Sequence, residues 1–121
     1  MSSTENSNPG LYRPRVIDKP WGRERWFAEC PEYLGKILEV AAGQRLSLQR
    51  HRHKTETLLL LSGAGRLELN GQELLWNPGQ AVHIRPGDVH RFSATVDMVL
   101  LEVSTFFPDD VERLEDDYGR S

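Results

Sequence analysis

An all-β sandwich or barrel is the fold class that this sequence predicts, on three observations. Short apolar or alternating runs recur through the middle of the chain. Each run is closed by turn residues, among them Asn77-Pro78-Gly79 and Arg85-Pro86-Gly87-Asp88. Asn70-Gly71, set between two alternating runs, is a strong signal for a two-residue hairpin. Regular short strands of this kind point to a closed or two-layered β architecture.

The elements follow in order. Residues 33–40 alternate roughly and end at Ala42-Gly43, and residues 45–50 form a second strand. Leu58 to Leu61 is a third, closed by Ser62-Gly63. Residues 66–69 and 73–76 flank the Asn-Gly hairpin, residues 81–84 follow the next turn, and residues 98–103 make the last strong strand. The C-terminal stretch reads differently. Asp109 precedes Glu112 by three residues, as in a capping box, and Val111, Leu114 and Tyr118 lie at helical spacing before Gly119. This predicts one short C-terminal helix packed on the barrel.

The chain has 121 residues, enough for one domain with a real core, expected over residues 16–121 behind a disordered polar tail over residues 1–15. A net charge of −3 and a pI near 5.8 argue against a nucleic-acid partner, which requires a basic face. No apolar run has the length needed to span a bilayer, and MSSTENSNPG lacks the apolar core of a secretion signal. Cys30 is the single cysteine, so no intrachain disulfide can form, which fits a reducing compartment, the cytoplasm. The Leu58–Leu61 run is apolar on both faces and needs cover on both, which leads us to expect a homodimer.

The residues with the most chemistry lie between Gly43 and Gly63. Gln49, His51 and His53 share one face of a strand, and Glu56 follows closely. His90 lies in a second turn, Pro86-Gly87-Asp88-Val89-His90. Imidazole nitrogens, a carboxylate and an amide oxygen together suit a divalent ion such as zinc, manganese or cobalt. The expected metal ligands are therefore Gln49, His51, Glu56 and His90. A set with so few histidines leans away from the iron oxygenases. His83, between Val82 and Ile84, is expected to face away from the site, and Trp21 and Trp76 are expected to pack.

These residues also carry a resemblance. Gly43, Gln49, His51, Glu56 and Gly63 fit the first cupin motif, G-x5-H-x-H-x3,4-E-x6-G, with Gln in place of the first His. Gly79, Gly87 and His90 fit the second motif, with Arg85 where Pro is usual and Ala94 where Asn is usual. The stretch LSLQRHRH further resembles the type II mannose-6-phosphate isomerases, the C-terminal half of bifunctional mannose-1-phosphate guanylyltransferase/isomerase enzymes. Lys19-Pro20-Trp21-Gly22, His90-Arg91, Glu102-Val103 and the closing Asp109-Asp110…Arg113…Asp116…Tyr118-Gly119-Arg120 agree with it, over roughly residues 17 to 120. The family's usual R-A-E-H-W is here Lys54-Thr55-Glu56-Thr57-Leu58, and the nucleotidyltransferase half is absent from this sequence.

The resemblance implies a cupin double-stranded β-helix with a metal in its mouth. It also implies aldose–ketose isomerisation of a small sugar phosphate, mannose-6-phosphate to fructose-6-phosphate, through an enediol stabilised by the metal. A general base must then reach the carbon-bound proton. Glu102 and His53 are the candidates, with Lys54 behind them. Arg45, Arg91 and Arg120 are the expected phosphate-binding residues, since Arg meets phosphate through a planar fork. Another metal-cupin chemistry such as an oxygenase, or a sugar-binding cupin without activity, would use the same scaffold.

Overall fold

A computed structural model describes residues 10–121, so most of the expected tail lies outside the described residues. Residues 10–14 are irregular and exposed, and among the described residues the first strand begins at Arg15. Eleven strands follow: β1 (Arg15–Lys19), β2 (Gly22–Cys30), β3 (Tyr33–Val40), β4 (Leu48–Arg50), β5 (Glu56–Ser62), β6 (Gly65–Leu69), β7 (Gln72–Trp76), β8 (Ala81–Ile84), β9 (His90–Ala94), β10 (Met98–Ser104) and β11 (Glu112–Glu115). They make two antiparallel sheets, ordered β1-β2-β3-β10-β5-β8 and β11-β4-β9-β6-β7. The hairpin expected at Asn70-Gly71 joins β6 to β7, and both turn residues have positive φ (50° and 83°), as a type I′ turn requires. At Gly63, φ is +91° and a Cβ would collide with the Asp97 carbonyl, so the motif's closing glycine is needed for backbone approach.

The core lies between the sheets. Leu38, Leu58, Leu60, Ile84, Met98 and Leu100 from one sheet meet Leu67, Trp76, Phe92 and Ala94 from the other. The Leu58–Leu61 run divides as alternation requires. Leu58 and Leu60 are buried inside, while Leu59 is half-buried and Leu61 is exposed on the outer face. No helix among the described residues is long and apolar enough to cross a membrane.

Two expectations need correction. The C-terminal helix does not form: β11 pairs with β4, placing Glu112 opposite Arg50 and Arg113 opposite Gln49. The three-residue β4 would otherwise be a bare sheet edge, and its backbone groups need partners. The Arg50 guanidinium also donates to Glu112 at 2.9 and 3.2 Å, so the supposed capping carboxylate is used across the sheet. Val111 and Leu114 stay 37% and 41% exposed, and their helical spacing buries no stripe. The second correction is the 45–50 strand, which is regular only over Leu48–Arg50. Leu46 and Ser47 are both buried in succession, so the parity linking Arg45 to His51 is broken.

Candidate metal centre

The first motif places its donors on a strand end and the strand after it. β4 delivers Gln49, and His51 follows it directly. Glu56 opens β5, and His90 opens β9 directly opposite Gln49. The second turn is tied to the first motif because the Gly87 amide donates to the His51 carbonyl at 2.9 Å.

His51 Nε2 lies 2.9 Å from Glu56 Oε2, and His90 Nε2 lies 3.2 Å from the same oxygen. One ligand atom from each of these three buried residues falls within 4.8 Å of the others. The opposite ring nitrogens are already engaged. His51 Nδ1 is 2.6 Å from the Asp110 carbonyl, and His90 Nδ1 is 2.9 Å from the Asp88 carbonyl. A carbonyl only accepts, so each Nδ1 carries the hydrogen and each neutral ring turns its Nε2 lone pair inward. With both rings in that form, two lone pairs and a carboxylate oxygen converge with no donor among them, and the buried His90 Nε2 has no hydrogen-bond partner. A second proton on the rings or a cation must fill that point. The buried nitrogen and oxygen donors, with backbone carbonyls behind the histidines, fit a divalent metal. His51, Glu56 and His90 could therefore hold one. Gln49 lines the same cavity, with its Oε1 2.7 Å from Ser47 Oγ.

Next to this point lies a second buried charged group. Lys54 Nζ is 3.2 Å from Glu56 Oε1 and 3.1 Å from Glu102 Oε2, so Glu56 presents one oxygen to the histidines and the other to the lysine. Burial would lower the Lys54 pKa, but the two carboxylates outweigh it and raise it. Burial pushes the Glu56 carboxyl up, yet a proton carried on His51 or His90 Nε2, together with the Lys54 ammonium, holds it well below the ordinary range. Glu102 goes the other way, pushed up by burial and by the charge of Glu56. Lys36 pairs with Glu24 at 3.4 Å on the same wall, and Glu24 accepts from Trp26 Nε1 at 2.8 Å. The cavity is about 90 Å³, room for a cation and a few water-sized groups.

Of the sequence candidates, Gln49, His51, Lys54, Glu56, Glu102 and Arg120 line this cavity, and His90 stands against it. Three others do not line it. Arg45 is turned to the C-terminal segment, donating to Asp117 at 2.6 and 2.9 Å, because strand parity fails at Leu46. Arg91 is buried on the far side of β9, where it donates to the Leu46 carbonyl at 3.1 Å and reaches Glu115. His53 is exposed, its ring 5.6 Å from that of Phe107. Arg120 sits at the mouth, held by Asp116 at 2.8 and 2.9 Å.

Sequence reasoning missed Glu24, Lys36 and Asp110. Lys36 was legible: it shares strand parity with Leu34, Leu38 and Val40, and a lysine on a core-facing row signals a polar cavity. Asp110 enters only as part of the closing Asp109-Asp110 match, and nothing local in the sequence indicates its role. Its carboxylate accepts from the amides of Arg52, His53 and Lys54 at 3.0, 2.6 and 2.9 Å. Against the effect of burial, these bonds lower its pKa to about 2.

With this geometry in place, the comparisons with known proteins bear directly on the site. Residues 9–116 match the family described as mannose-6-phosphate isomerase C-terminal. The chain belongs to that family. A mannose-1-phosphate guanylyltransferase from Klebsiella pneumoniae is 30% identical over 121 residues, covering 96% of this chain and 26% of the relative. This chain thus spans about a quarter of the length of the curated relatives it matches. Among solved structures, KdgF from Halomonas sp. superposes with a TM-score of 0.71 at 19% identity, over 78% of this chain and 89% of that one. The capsular polysaccharide assembling protein CapF from Staphylococcus aureus gives 0.76 at 21% identity, over 87% and 35%. At such identities the likeness establishes the fold, a cupin double-stranded β-helix.

Proposed function

We propose that this family member is a metal-dependent sugar-phosphate isomerase that interconverts mannose-6-phosphate and fructose-6-phosphate. The observation that carries the reading is the convergence of His51 Nε2, His90 Nε2 and one Glu56 oxygen on one buried point, where His90 Nε2 has no hydrogen-bond partner. Family membership and relatives named for mannose-1-phosphate chemistry support the substrate class. His51, Glu56 and His90 would hold the ion, zinc, manganese or cobalt, and Gln49, which lines the same cavity, would be the fourth ligand. When bound, the ion supplies positive charge that polarises a carbonyl and stabilises negative charge on adjacent oxygens.

The chain's own residues do the rest. Glu102 lies on the cavity wall with its basicity raised by burial and by the charge of Glu56, the direction that a general base requires. It takes the proton from C2 of the aldose and returns it to C1, while the hydroxyl proton at O2 moves to O1, so the isomers differ only in where two hydrogens sit. Lys54 stands between Glu56 and Glu102 and keeps both in place. The small cavity takes the reacting carbons, and the phosphate rests at the mouth beside Arg120, Arg113 and Lys19. In this reading Glu102 is the base and Arg120 the phosphate contact, because both line the cavity, whereas His53, Arg45 and Arg91 face elsewhere.

The outer face of the six-stranded sheet supports a homodimer as part of this reading. Leu59, Leu101 and Ile37 form one half-buried cross-strand row, flanked by Val103 and Leu61 at 50% and 47% exposed. The cytoplasm suits a chain whose one cysteine, Cys30, is free.

The test pairs metal analysis with a coupled assay in both directions. His51→Ala and His90→Ala are expected to abolish metal uptake and isomerisation while the barrel still melts cooperatively. Full metal retention in either variant defeats the ligand set. A metal-loaded wild type that is inert on both sugars defeats the isomerase reading. Sedimentation at micromolar protein tests the dimer, and a clean monomer refutes it.

A further inference from the structure

We propose that Asp110 is the positioning residue of the metal centre, acting through the loop that joins His51 to Glu56. The inference rests on reading this site as a metal centre. Residues 52–55 lie outside the strands, so no ladder of hydrogen bonds fixes the chain between these two candidate ligands. Asp110 does so from outside. Its carboxylate gathers three successive amides of that loop, those of Arg52, His53 and Lys54, in the manner of a backbone nest closing on an anion. Its main-chain oxygen, 2.6 Å from His51 Nδ1, keeps that ring turned with Nε2 toward Glu56. One residue therefore sets the placement of the loop and the tautomer of the ligand before it.

The rest of the segment braces the same loop. The Thr55 amide donates to Thr105 Oγ1 at 3.1 Å, and the Thr105 amide donates to the Thr55 carbonyl at 3.0 Å. The Asp110 amide donates to the Phe107 carbonyl at 3.2 Å, so the carboxylate is presented from a turn that bonds to itself. Lys54 leaves this loop to stand between Glu56 and Glu102, so a displaced loop also misplaces the buried ammonium. Groups behind metal ligands typically change affinity by about 10- to 100-fold when removed.

The test is a titration of the full chain with Co²⁺, followed by its visible absorption. Asp110→Asn is isosteric, but it replaces the oxygen facing the His53 and Lys54 amides with an amide donor, or else turns that donor on Arg52. Glu112→Gln loosens the same C-terminal segment by breaking the Arg50 pair without touching the loop. We expect Co²⁺ affinity to fall at least tenfold in Asp110→Asn, with an altered absorption band, and to stay within threefold in Glu112→Gln. A loss below threefold in Asp110→Asn, or an equal loss in both variants, overturns the positioning role and leaves the metal reading intact. A wild type that takes up no Co²⁺ defeats both. If Asp110→Asn shows no cooperative melt, Asp110→Glu, which keeps the charge but lengthens the side chain, is judged by the same limits.

Discussion

The two ends of the barrel interior are built from the same strands and differ in everything else. At one end, β5 turns Leu58 and Leu60 inward, β10 turns Leu100 and Met98, and β3 turns Leu38 and Val40, all essentially buried. A step along the same strands, β5 presents Glu56, β10 presents Glu102 and β3 presents Lys36, with Glu102 directly opposite Lys36. The apolar end removes hydrocarbon from water, the main favourable term in folding. The polar end buries charges that burial alone would disfavour, and these persist only because each has a partner. Stability and chemistry are therefore separated along the strand direction, and the separation can be broken from either side.

The largest stability effect is expected at the apolar end. Leu100→Ala should lower the unfolding free energy by about 4 kcal/mol, because it deletes a fully buried side chain and leaves a cavity. Denaturant unfolding measures this, and metal uptake should survive if the two ends are independent. At the polar end, Lys54→Met leaves Glu56 and Glu102 facing each other without the ammonium and should cost about 3 kcal/mol at pH 7. That loss should shrink in acid. Glu102, already pushed up, protonates first and relieves the repulsion. A loss that does not change with pH would show packing rather than charge at work.

A smaller effect is expected at the mouth. Asp116, held by three bonds from Arg120, has its pKa lowered to about 2 from 3.8. Its contribution is therefore complete above the unfolded value of 3.8 and is lost as the pH falls through about 2. Asp116→Asn should remove about 1 to 2 kcal/mol at pH 7 and flatten that part of the acid unfolding curve. The smallest effect belongs to the exposed Arg15–Glu29 pair at 2.9 Å. Arg15→Ala should change stability by less than about 1 kcal/mol, and salt should diminish the difference.

How much of this was legible in the sequence depended on how local each signal is. The expected β-runs correspond to strands because turn residues and alternation act over a few residues, and the Asn70-Gly71 hairpin needs only its own backbone. The donors Gln49, His51 and Glu56 follow from spacing within one motif. His90 required the second motif. The C-terminal segment went wrong for the opposite reason. Its helical spacing and capping pattern were real, but Glu112 and Arg50, which decide the matter, are far apart in sequence. The same holds for Arg45, where two consecutive buried residues reversed the direction that strict alternation would assign.

By itself, the sequence determined that this chain is a β-barrel with imidazoles and carboxylates spaced to meet in its mouth, because strand period and turn chemistry are local. Only the tertiary structure decided that residues 112–115 complete a sheet, that Arg45 and Arg91 turn away from the cavity, and that Asp110 grips the ligand loop. Each of these depends on which distant backbone groups were left without a partner, and that is settled only when the sheets close.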